Sequence, residues 1–461
     1  MLVSLAEMAT VVPLRGQGSN PTPPTTSGSL STALALTGAK VYTSPSATAI
    51  PIGAVIIRDG KIIAVGSQQS VAIPDDATVI DCGGLVITAG FQNSHIHFTE
   101  PKWNNAKSLP PDRLANQLEE MLTQYGFTTV VDTGSILENT GALRRRVESG
   151  EIPGPRILTA GEVLFPQGGL PYYVRDALDA ATIAKFPRPA TPQAAEQVVE
   201  ELITDGADLI KLYAVSAVTQ RNLVAMNVDV AKAATSEAHR RGKLVFVHPT
   251  NAQGMEIALE AGADVLAHAV EIAPDWNETT IARLKAEHIS MIPTLHLFKG
   301  NLIAAALGRI LTRTDVVGEV GSYWRADGQI LFGTDAGYLP DYDPTGEYVL
   351  MSRAGMNFPA ILESLTTAPA ERFGESNKRG RIAPGMDGDV VVLGGDPASD
   401  VRWFGRAKYT VRAGRIIHSS TPRPLDQHMR LSLALVLFAI AGGALLAAIW
   451  FWRSKKGVSS T

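Results

Sequence analysis

The chain has 461 residues, of which 45% are hydrophobic and 19% are charged, a balance that excludes a disordered chain and predicts a large core. The formal net charge of −4 gives no indication of a nucleic-acid-binding surface. The one cysteine, Cys82, excludes an intrachain disulfide. A chain of this length predicts one large domain together with a smaller one.

The N-terminal part combines a polar segment with a small β domain. Residues 1–34 are predicted to be disordered, because the stretch after Pro13 is rich in Pro, Ser, Thr and Gly. Residues 1–12 are weakly apolar and lack a basic start, so they make a poor signal peptide. Residues 35–90 indicate short strands, with a hairpin turn at Asp59-Gly60.

From residue 91 the pattern alternates between strand and helix, which predicts a parallel sheet. Eight strands are expected, at residues 87–97, 128–133, 156–161, 209–214, 244–249, 265–269, 291–295 and 330–335. They predict an α/β fold with a (β/α)8 TIM barrel over residues 91–381. Strand character returns in residues 382–418, so a small β-sandwich domain is expected to form from segments on both sides of the barrel.

The C-terminal part predicts a membrane anchor. Residues 431–452 contain no charged side chain, and as a helix they would span about 33 Å, enough for a hydrocarbon core of about 30 Å. A polar spacer, residues 419–430, precedes this run, and a basic tail, residues 453–461, follows it. The alternative is a buried terminal helix, which the apolar character all round disfavours.

The predicted localisation is therefore a single-pass membrane protein. The basic residues after the helix favour a catalytic domain outside the cytoplasm. A cytoplasmic domain on a tail anchor is the alternative.

Residue types that bind metals stand at or near the C-terminal ends of several predicted strands. They are His95, His97, Lys211, His248, His268 and Asp335. Because barrel active sites are built at these strand ends, the set predicts a metal site in the barrel mouth. His95 and His97 lie two residues apart and so face the same side of a strand. A lone His-x-His is a weak signal, and two ordinary polar residues are the alternative.

Lys211 lies inside the apolar strand LIKLYA. A buried lysine is costly unless it is paired or neutralised. One interpretation is a salt bridge to an acid on a neighbouring strand. The other is a free amine that takes up carbon dioxide, giving a carbamate able to bridge two cations. The spacing supports both equally.

His248 and His268 end consecutive predicted strands, and neutral imidazole suits zinc and similar ions. A single histidine of this kind is more often a pocket residue than a ligand. Asp335 ends the eighth strand, which barrel closure brings beside the first. Its carboxylate could then approach the metal and take a proton from water, whereas the alternative is a turn residue followed by an N-cap.

Two residues are candidates for substrate contacts. Tyr213 lies two residues beyond Lys211 and shares its inward face, although a tyrosine that fills the barrel is equally consistent with the pattern. His296 follows the seventh strand at the end that carries the site.

The chain resembles the amidohydrolase superfamily, in the branch of imidazolonepropionase-like and prolidase-like enzymes. GFQNSHIHF resembles the first-strand metal motif, and GADLIKLYAV, MIPTLHLF and ILFGTDAG follow in the family order. The resemblance covers about residues 35–418. One departure lies after the third strand, where many relatives have Gly-Gly-His and this chain has Gly168-Gly169-Leu170.

The resemblance implies two divalent metal ions, with zinc as the first choice. It assigns the first ion to His95, His97 and Asp335, the second to His248 and His268, and the bridge between them to carboxylated Lys211. Imidazolonepropionase itself resembles a one-metal version without the lysine, so Lys211 favours the two-metal side.

The predicted function is a binuclear amidohydrolase that cleaves an amide-type C–N bond with metal-bound hydroxide, with Asp335 as the catalytic base. Its small-molecule substrate is expected to be a dipeptide, an N-acyl amino acid or a cyclic amide. A mononuclear deaminase or cyclic-amide hydrolase is the alternative among enzymes, and a metal-free membrane scaffold is the alternative outside them. No nucleic-acid partner is expected, and a homo-oligomer is compatible with the sequence.

Overall fold

The computed structural model describes residues 32–219, 221–273, 275–300 and 315–420. The strands of these residues are β1 (Leu34–Val41), β2 (Ile50–Arg58), β3 (Lys61–Ser67), β4 (Thr78–Asp81), β5 (Val86–Ala89), β6 (Phe91–Ile96), β7 (Phe127–Asp132), β8 (Arg156–Thr159), β9 (Ile210–Tyr213), β10 (Val215–Ala217), β11 (Leu223–Ala225), β12 (Val245–His248), β13 (Val265–Ala267), β14 (Ser290–Ile292), β15 (Val390–Leu393), β16 (Ala407–Arg412) and β17 (Arg415–Ser419).

The helices of the described residues are α1 (Pro111–Met121), α2 (Leu137–Glu148), α3 (Tyr172–Ala177), α4 (Ala180–Lys185), α5 (Pro192–Thr204), α6 (Val228–Arg240), α7 (Ala252–Ala261), α8 (Glu278–Ala286), α9 (Leu295–Gly300), α10 (Val316–Arg325), α11 (Thr345–Arg353), α12 (Phe358–Leu365) and α13 (Thr367–Arg372). Polar side chains fix several helix starts by accepting a hydrogen bond from the first turn, as Asn251 does from the N–H of Gly254 in α7.

One sheet joins strands from both ends of the described chain. Its order is β17-β16-β15-β5-β1-β2-β3, with β4 paired to β1. The antiparallel pairing of β15 with β5 links the two sequence segments. The β2–β3 hairpin turns at Asp59 and Gly60, both with positive φ, as a tight two-residue turn requires. The predicted domain boundaries themselves stay a prediction.

A second set of strands forms a closed ring of parallel segments, the barrel. β6, β7 and β8 pair in order, and β9, β12, β13 and β14 pair in order. Leu164 bridges to Leu212 and joins the two groups. Residues 330–336 close the ring through parallel bridges from Met291 to Ile330 and from Ile96 to Ala336.

The eighth segment differs from the regular strand that the sequence predicts. Residues 331–335 carry no regular strand assignment, although Leu331 donates to the Met291 carbonyl at 2.9 Å and Ser94 donates to the Phe332 carbonyl at 2.7 Å. Asp335 has a φ of +60°, which turns the backbone out of the extended conformation. The irregularity therefore lies where the segment reaches the barrel mouth.

The predicted fold class is wrong in one part, the transmembrane helix. No helix among the described residues is long and apolar enough to cross a membrane, and residues 431–452 lie outside the described residues. The α5 and α6 helices have 13 residues each, which at 1.5 Å per residue gives about 20 Å, well short of a bilayer core of about 30 Å. The prediction rested on the length and apolar character of residues 431–452 and on the basic residues beside them. The membrane anchor and the single-pass localisation are withdrawn together with the transmembrane helix.

Two glycines inside helices are expected to respond oppositely to substitution by alanine. A Cβ on Gly254 would lie 1.8 Å from the carbonyl oxygen of Pro249, directly after His248, whereas a Cβ on Gly141 would meet only the flexible Arg145 guanidinium at 3.4 Å. Gly141→Ala should stabilise the fold by about 0.5–1 kcal/mol because alanine favours helix. Gly254→Ala should destabilise it by about 1–3 kcal/mol through overlap with backbone. Thermal unfolding of both variants measures the difference, and equal shifts would refute the close approach of α7 to the His248 loop.

Candidate metal centre

The carboxyl ends of the barrel strands bring histidine and aspartate side chains together. The Nε2 atoms of His95 and His97 lie 3.2 Å apart. The Oδ1 atom of Asp335 lies 3.3 Å from Nε2 of His95 and 3.0 Å from Nε2 of His97. The rings of His95 and His268 have centroids 4.5 Å apart, and those of His248 and His268 have centroids 4.6 Å apart. Side chains of metal-binding types, from strands that are far apart in the sequence, therefore lie close together.

The convergence of these atoms fits a divalent cation. One ligand atom from each of His95, His268 and Asp335 lies within 4.8 Å of the others, and all three residues are buried. Asp335 Oδ1 is buried and has no hydrogen bond of normal geometry within the described residues, despite the two nearby ring nitrogens. Buried lone pairs that face one another without a proton between them are costly, and a cation removes that cost.

Two of the histidines have their tautomers fixed by neighbours. Nδ1 of His97 donates to the carbonyl oxygen of Gly134 at 2.7 Å. The hydroxyl of Thr294 donates to the Pro293 carbonyl, so it accepts from Nδ1 of His268, 2.7 Å away. Both contacts leave Nε2 with a free lone pair, which is the arrangement that holds a histidine as a metal ligand.

Burial sets the charges of the site. It lowers the pKa of His95 to about 3, with the charge of Lys211 as the next contribution, and it lowers the pKa values of His248 and His268 well below the ordinary value. Burial raises the pKa of Asp335, but the close approach of the His95 and His97 rings outweighs it and holds that pKa well below the ordinary value. At neutral pH these three imidazoles are neutral and the carboxylate is ionised, the forms that bind metal.

Lys211 lies on β9 with 1% of its surface exposed. Burial lowers the pKa of its amine to about 7, and the charge of Asp335 acts in the opposite direction. Within the described residues it forms no ion pair of 4 Å or less, so the predicted alternative of a salt bridge to a strand acid has no counterpart there. A large share of this side chain is therefore free amine at neutral pH, the form that reacts with carbon dioxide.

Several non-glycine residues beside the site have left-handed backbone. Non-glycine residues with positive φ include His268 at +118°, Asp335 at +60°, Thr294 at +44° and Thr250 at +62°. Each such residue costs on the order of 1–3 kcal/mol. All four follow barrel strands at their carboxyl ends, so the fold stores strain at the place where the candidate ligands lie.

The site opens into a cavity of about 1100 Å³, including its mouth. Tyr213 lines this cavity and stacks on His248 with ring centroids 4.0 Å apart. Its hydroxyl accepts a hydrogen bond from Tyr173 at 3.4 Å. His296 is not among the described residues that line the cavity, and its ring lies 3.8 Å from Asp341 instead. The structure thus places Tyr213, and not His296, against the candidate metal centre.

Buried acids around the site were missed from the sequence. Asp132 ends β7, is fully buried, and accepts hydrogen bonds from Ser135 and Thr159, which keeps the Gly134 carbonyl beside His97. The sequence did contain a signal for Asp132, because this acid ends the strand TTVVD, the same position in a strand that identified the other candidates.

Glu347 holds the loop that carries Thr294. It is 1% exposed, and its two carboxylate oxygens accept hydrogen bonds from the backbone N–H groups of Leu295 and His296 at 2.8 and 2.7 Å. Burial raises its pKa to about 7. Glu319 accepts from the N–H of Val270 at 2.7 Å, and burial raises its pKa to about 8. Glu347 binds the backbone directly after Thr294, and Glu319 binds the backbone two residues after His268. Both acids therefore hold segments next to the His268–Thr294 hydrogen bond.

The geometry defines a barrel with candidate metal ligands at its mouth, and the comparisons with known proteins give its family. The amidohydrolase family model matches residues 86–417, so the chain belongs to the amidohydrolase family, as the sequence motifs predicted. It is therefore an enzyme, a hydrolase of amide-type carbon–nitrogen bonds. Members of this family generally use divalent metal ions.

Individual relatives are distant. Ochratoxinase of Aspergillus niger is 25% identical over 404 residues, covering 77% of this chain and 80% of that protein. Dihydroorotase of Clostridium acetobutylicum is 24% identical over 157 residues, covering 33% of this chain. That match spans about a third of the dihydroorotase, 35% of its length.

Solved structures share the fold. The crystal structure of a Xaa-Pro dipeptidase with bound methionine has a TM-score of 0.70 and 21% identity, covering 83% of this chain and 99% of that one. The crystal structure of A. niger ochratoxinase has a TM-score of 0.69 and 20% identity, covering 85% of this chain and 97% of that one. At these identities the likeness concerns the fold alone.

Glu347→Gln is expected to weaken metal retention and turnover by about 10–100-fold, the usual effect of losing a group that orients a ligand. The amide would place its NH2 group against a backbone N–H, so one of the two hydrogen bonds is lost and Thr294 loses its position. Metal content at limiting zinc and kcat measure the effect.

Glu319→Gln serves as the matched control. Its raised pKa means that the acid is largely protonated at neutral pH, and glutamine keeps the acceptor for Val270, so both readouts should stay within about twofold of wild type. Equal losses in the two variants would contradict a specific role for Glu347.

Proposed function

We propose that this protein is a binuclear metal-dependent amidohydrolase that cleaves an amide-type bond of a small molecule, with zinc as the metal of first choice. The observation that carries the proposal is the convergence of His95, His97 and Asp335 within 3.0–3.3 Å of one another, beside a buried lysine whose pKa is lowered to about 7. A lysine with free-amine character next to neutral imidazoles supports a carbamate that bridges two ions.

The proposed ligand assignment is the one that the family resemblance implies. His95, His97 and Asp335 would hold one ion, and His248 and His268 would hold the second. Carboxylated Lys211 would supply an anionic oxygen to both. Divalent ions bound there would lower the pKa of water and polarise the carbonyl of the substrate.

Asp335 is the proposed proton carrier. Its low pKa keeps it ionised at neutral pH, so it can accept a proton from the attacking water. It would then give that proton to the nitrogen of the leaving amine as the C–N bond breaks. Its backbone N–H donates to the His95 carbonyl at 2.9 Å, which keeps the carboxylate at the place where the proton is released.

A mononuclear deaminase or cyclic-amide hydrolase is a second candidate, because one observation favours it. The tight group formed by His95, His268 and Asp335 takes one residue from the proposed second ion and two from the first. Three such ligands with one open position suffice for a catalytic zinc site. The number of ions per chain separates the two functions.

The wild-type protein is expected to bind two divalent ions per chain. Lys211→Ala should lose one ion and most activity, and short carboxylates such as acetate should restore part of it by replacing the carbamate. Lys211→Arg should not be restored, because guanidinium stays protonated and cannot form a carbamate. Elemental analysis and turnover of an amide panel measure these effects.

Two ions and full activity in Lys211→Ala would overturn the carbamate bridge. One ion per fully active wild-type chain would favour the mononuclear alternative.

Asp335→Asn and His95→Ala should fail in different ways. Asparagine keeps the shape of the side chain but cannot take the proton, so metal should stay bound while kcat falls by about 10²–10⁴-fold. Alanine at position 95 removes a ligand and should lower metal content together with activity. Unchanged turnover in Asp335→Asn would exclude this residue as the base.

A further inference from the structure

His248 lacks the hydrogen bond that orients two of the other histidines. Nδ1 of His97 bonds to the Gly134 carbonyl, and Nδ1 of His268 bonds to the Thr294 hydroxyl. Neither nitrogen of the His248 ring has a hydrogen-bond partner among the described residues, and its Nδ1 atom is buried. A buried nitrogen without a partner fits a cation. A ligand of this kind is usually turned towards its metal by a bond to the other ring nitrogen, and His248 has no such bond there.

The His248 ring lies flat against Tyr213 instead. The parallel pairing of β9 with β12 places Tyr213 directly opposite His248. The two rings stack with centroids 4.0 Å apart and planes inclined by only 8°. His268 meets the same imidazole at 4.6 Å with the planes inclined by 71°. Because a flat contact between rings restricts their tilt, the stack limits the directions in which the nitrogens of His248 can point.

Two residues of the segment between β8 and β9 hold Tyr213 in turn. Phe165 packs on the Tyr213 ring with centroids 4.8 Å apart, and Tyr173 on α3 donates its hydroxyl to that of Tyr213 at 3.4 Å. The N–H of Phe165 donates to the Pro187 carbonyl at 3.0 Å, which ties the two ends of the segment together. This segment therefore holds the ring on which His248 stacks.

We propose that Tyr213 is a positioning residue for the metal centre, because the flat contact of its ring, and not its hydroxyl, holds His248 in the orientation of a metal ligand. The inference rests on the proposed assignment of His248 to the second ion. It gives the segment between β8 and β9 a part in metal retention, although none of the candidate ligands lies in that segment.

Two substitutions at Tyr213 separate the ring face from the hydroxyl. Tyr213→Phe keeps the face, and Tyr213→Leu removes it. Release of bound zinc to a chelator should become at least about tenfold faster in Tyr213→Leu, the lower end of the effect of losing a group that orients a ligand. Tyr213→Phe should stay within about threefold of wild type. Wild-type release rates in the leucine variant would overturn the inference, and so would equally fast release from both variants.

Cobalt(II) gives a second readout, because its visible absorption reports the arrangement of the ligands around the ion. At full occupancy the spectrum should change in Tyr213→Leu and keep its wild-type form in Tyr213→Phe. An unchanged spectrum in the leucine variant would mean that Tyr213 only fills space in the barrel, which would also overturn the inference.

Phe186→Leu is the matched control for lost packing. Phe186 is buried and lines the same cavity. Its ring packs edge to face on Phe165 with centroids 5.7 Å apart, and no ring contact joins it to a histidine of the described residues. This variant should keep the wild-type cobalt spectrum and zinc release. If it changes both as much as Tyr213→Leu does, loss of packing alone explains the effect and the stack has no specific role.

Failure of the inference is separable from failure of the proposed function. Thermal unfolding of the metal-free variants shows whether they fold, and Tyr213→Met makes the same test if the leucine variant does not. One ion per wild-type chain would overturn the binuclear proposal. The inference would then be decided by whether that ion leaves Tyr213→Leu faster than Tyr213→Phe.

Discussion

The candidate site depends on the approach of residues 330–335 to β6, which closes the barrel. The N–H groups of Thr334 and Asp335 both donate to the carbonyl of His95, at 3.2 and 2.9 Å. This pairing places the Asp335 carboxylate beside the two imidazoles of the first strand. Gly333 makes the approach feasible, because a Cβ there would lie 2.8 Å from Cβ of His95, and a Cβ on Gly337 would lie 1.8 Å from the His97 carbonyl.

Closure of the barrel concentrates polar atoms where water has little access. The protonation states of the site and its cost in stability follow from that burial. Burial favours the neutral forms of His95, His248 and His268, and the neighbouring imidazoles favour the ionised form of Asp335. Buried unpaired polar atoms and left-handed backbone at His268 and Asp335 both cost stability. The acids behind the site offset part of that cost by holding backbone N–H groups, as Glu347 does for α9. A bound cation would offset the part that remains.

Much of this arrangement was accessible from sequence because parallel barrel strands are short apolar runs with functional residues at one end. The segments around His95, Lys211 and His248 were located to within a few residues. Their metal-binding roles stay predictions. The irregular eighth segment was not foreseen, since its break depends on a positive φ at Asp335. Glu347 was missed for another reason: it lies in an ordinary helix, and its partners at Leu295 and His296 are about fifty residues away.

The apolar C-terminal run, residues 431–452, lies outside the described residues, and no helix within them is long and apolar enough to cross a membrane. Substrate contacts were equally hard to predict. Tyr213 and His296 looked comparable in sequence, and the structure separates them: Tyr213 stacks on His248, whereas the ring of His296 lies 3.8 Å from Asp341. The candidate ligands lie at the ends of strands whose register is fixed by the whole barrel, whereas Tyr173, which donates to Tyr213, lies on α3 in the segment between β8 and β9. The strand ends that carry the candidate ligands were therefore easier to locate from the sequence than contacts made by the segment between β8 and β9, whose path no periodic pattern fixes.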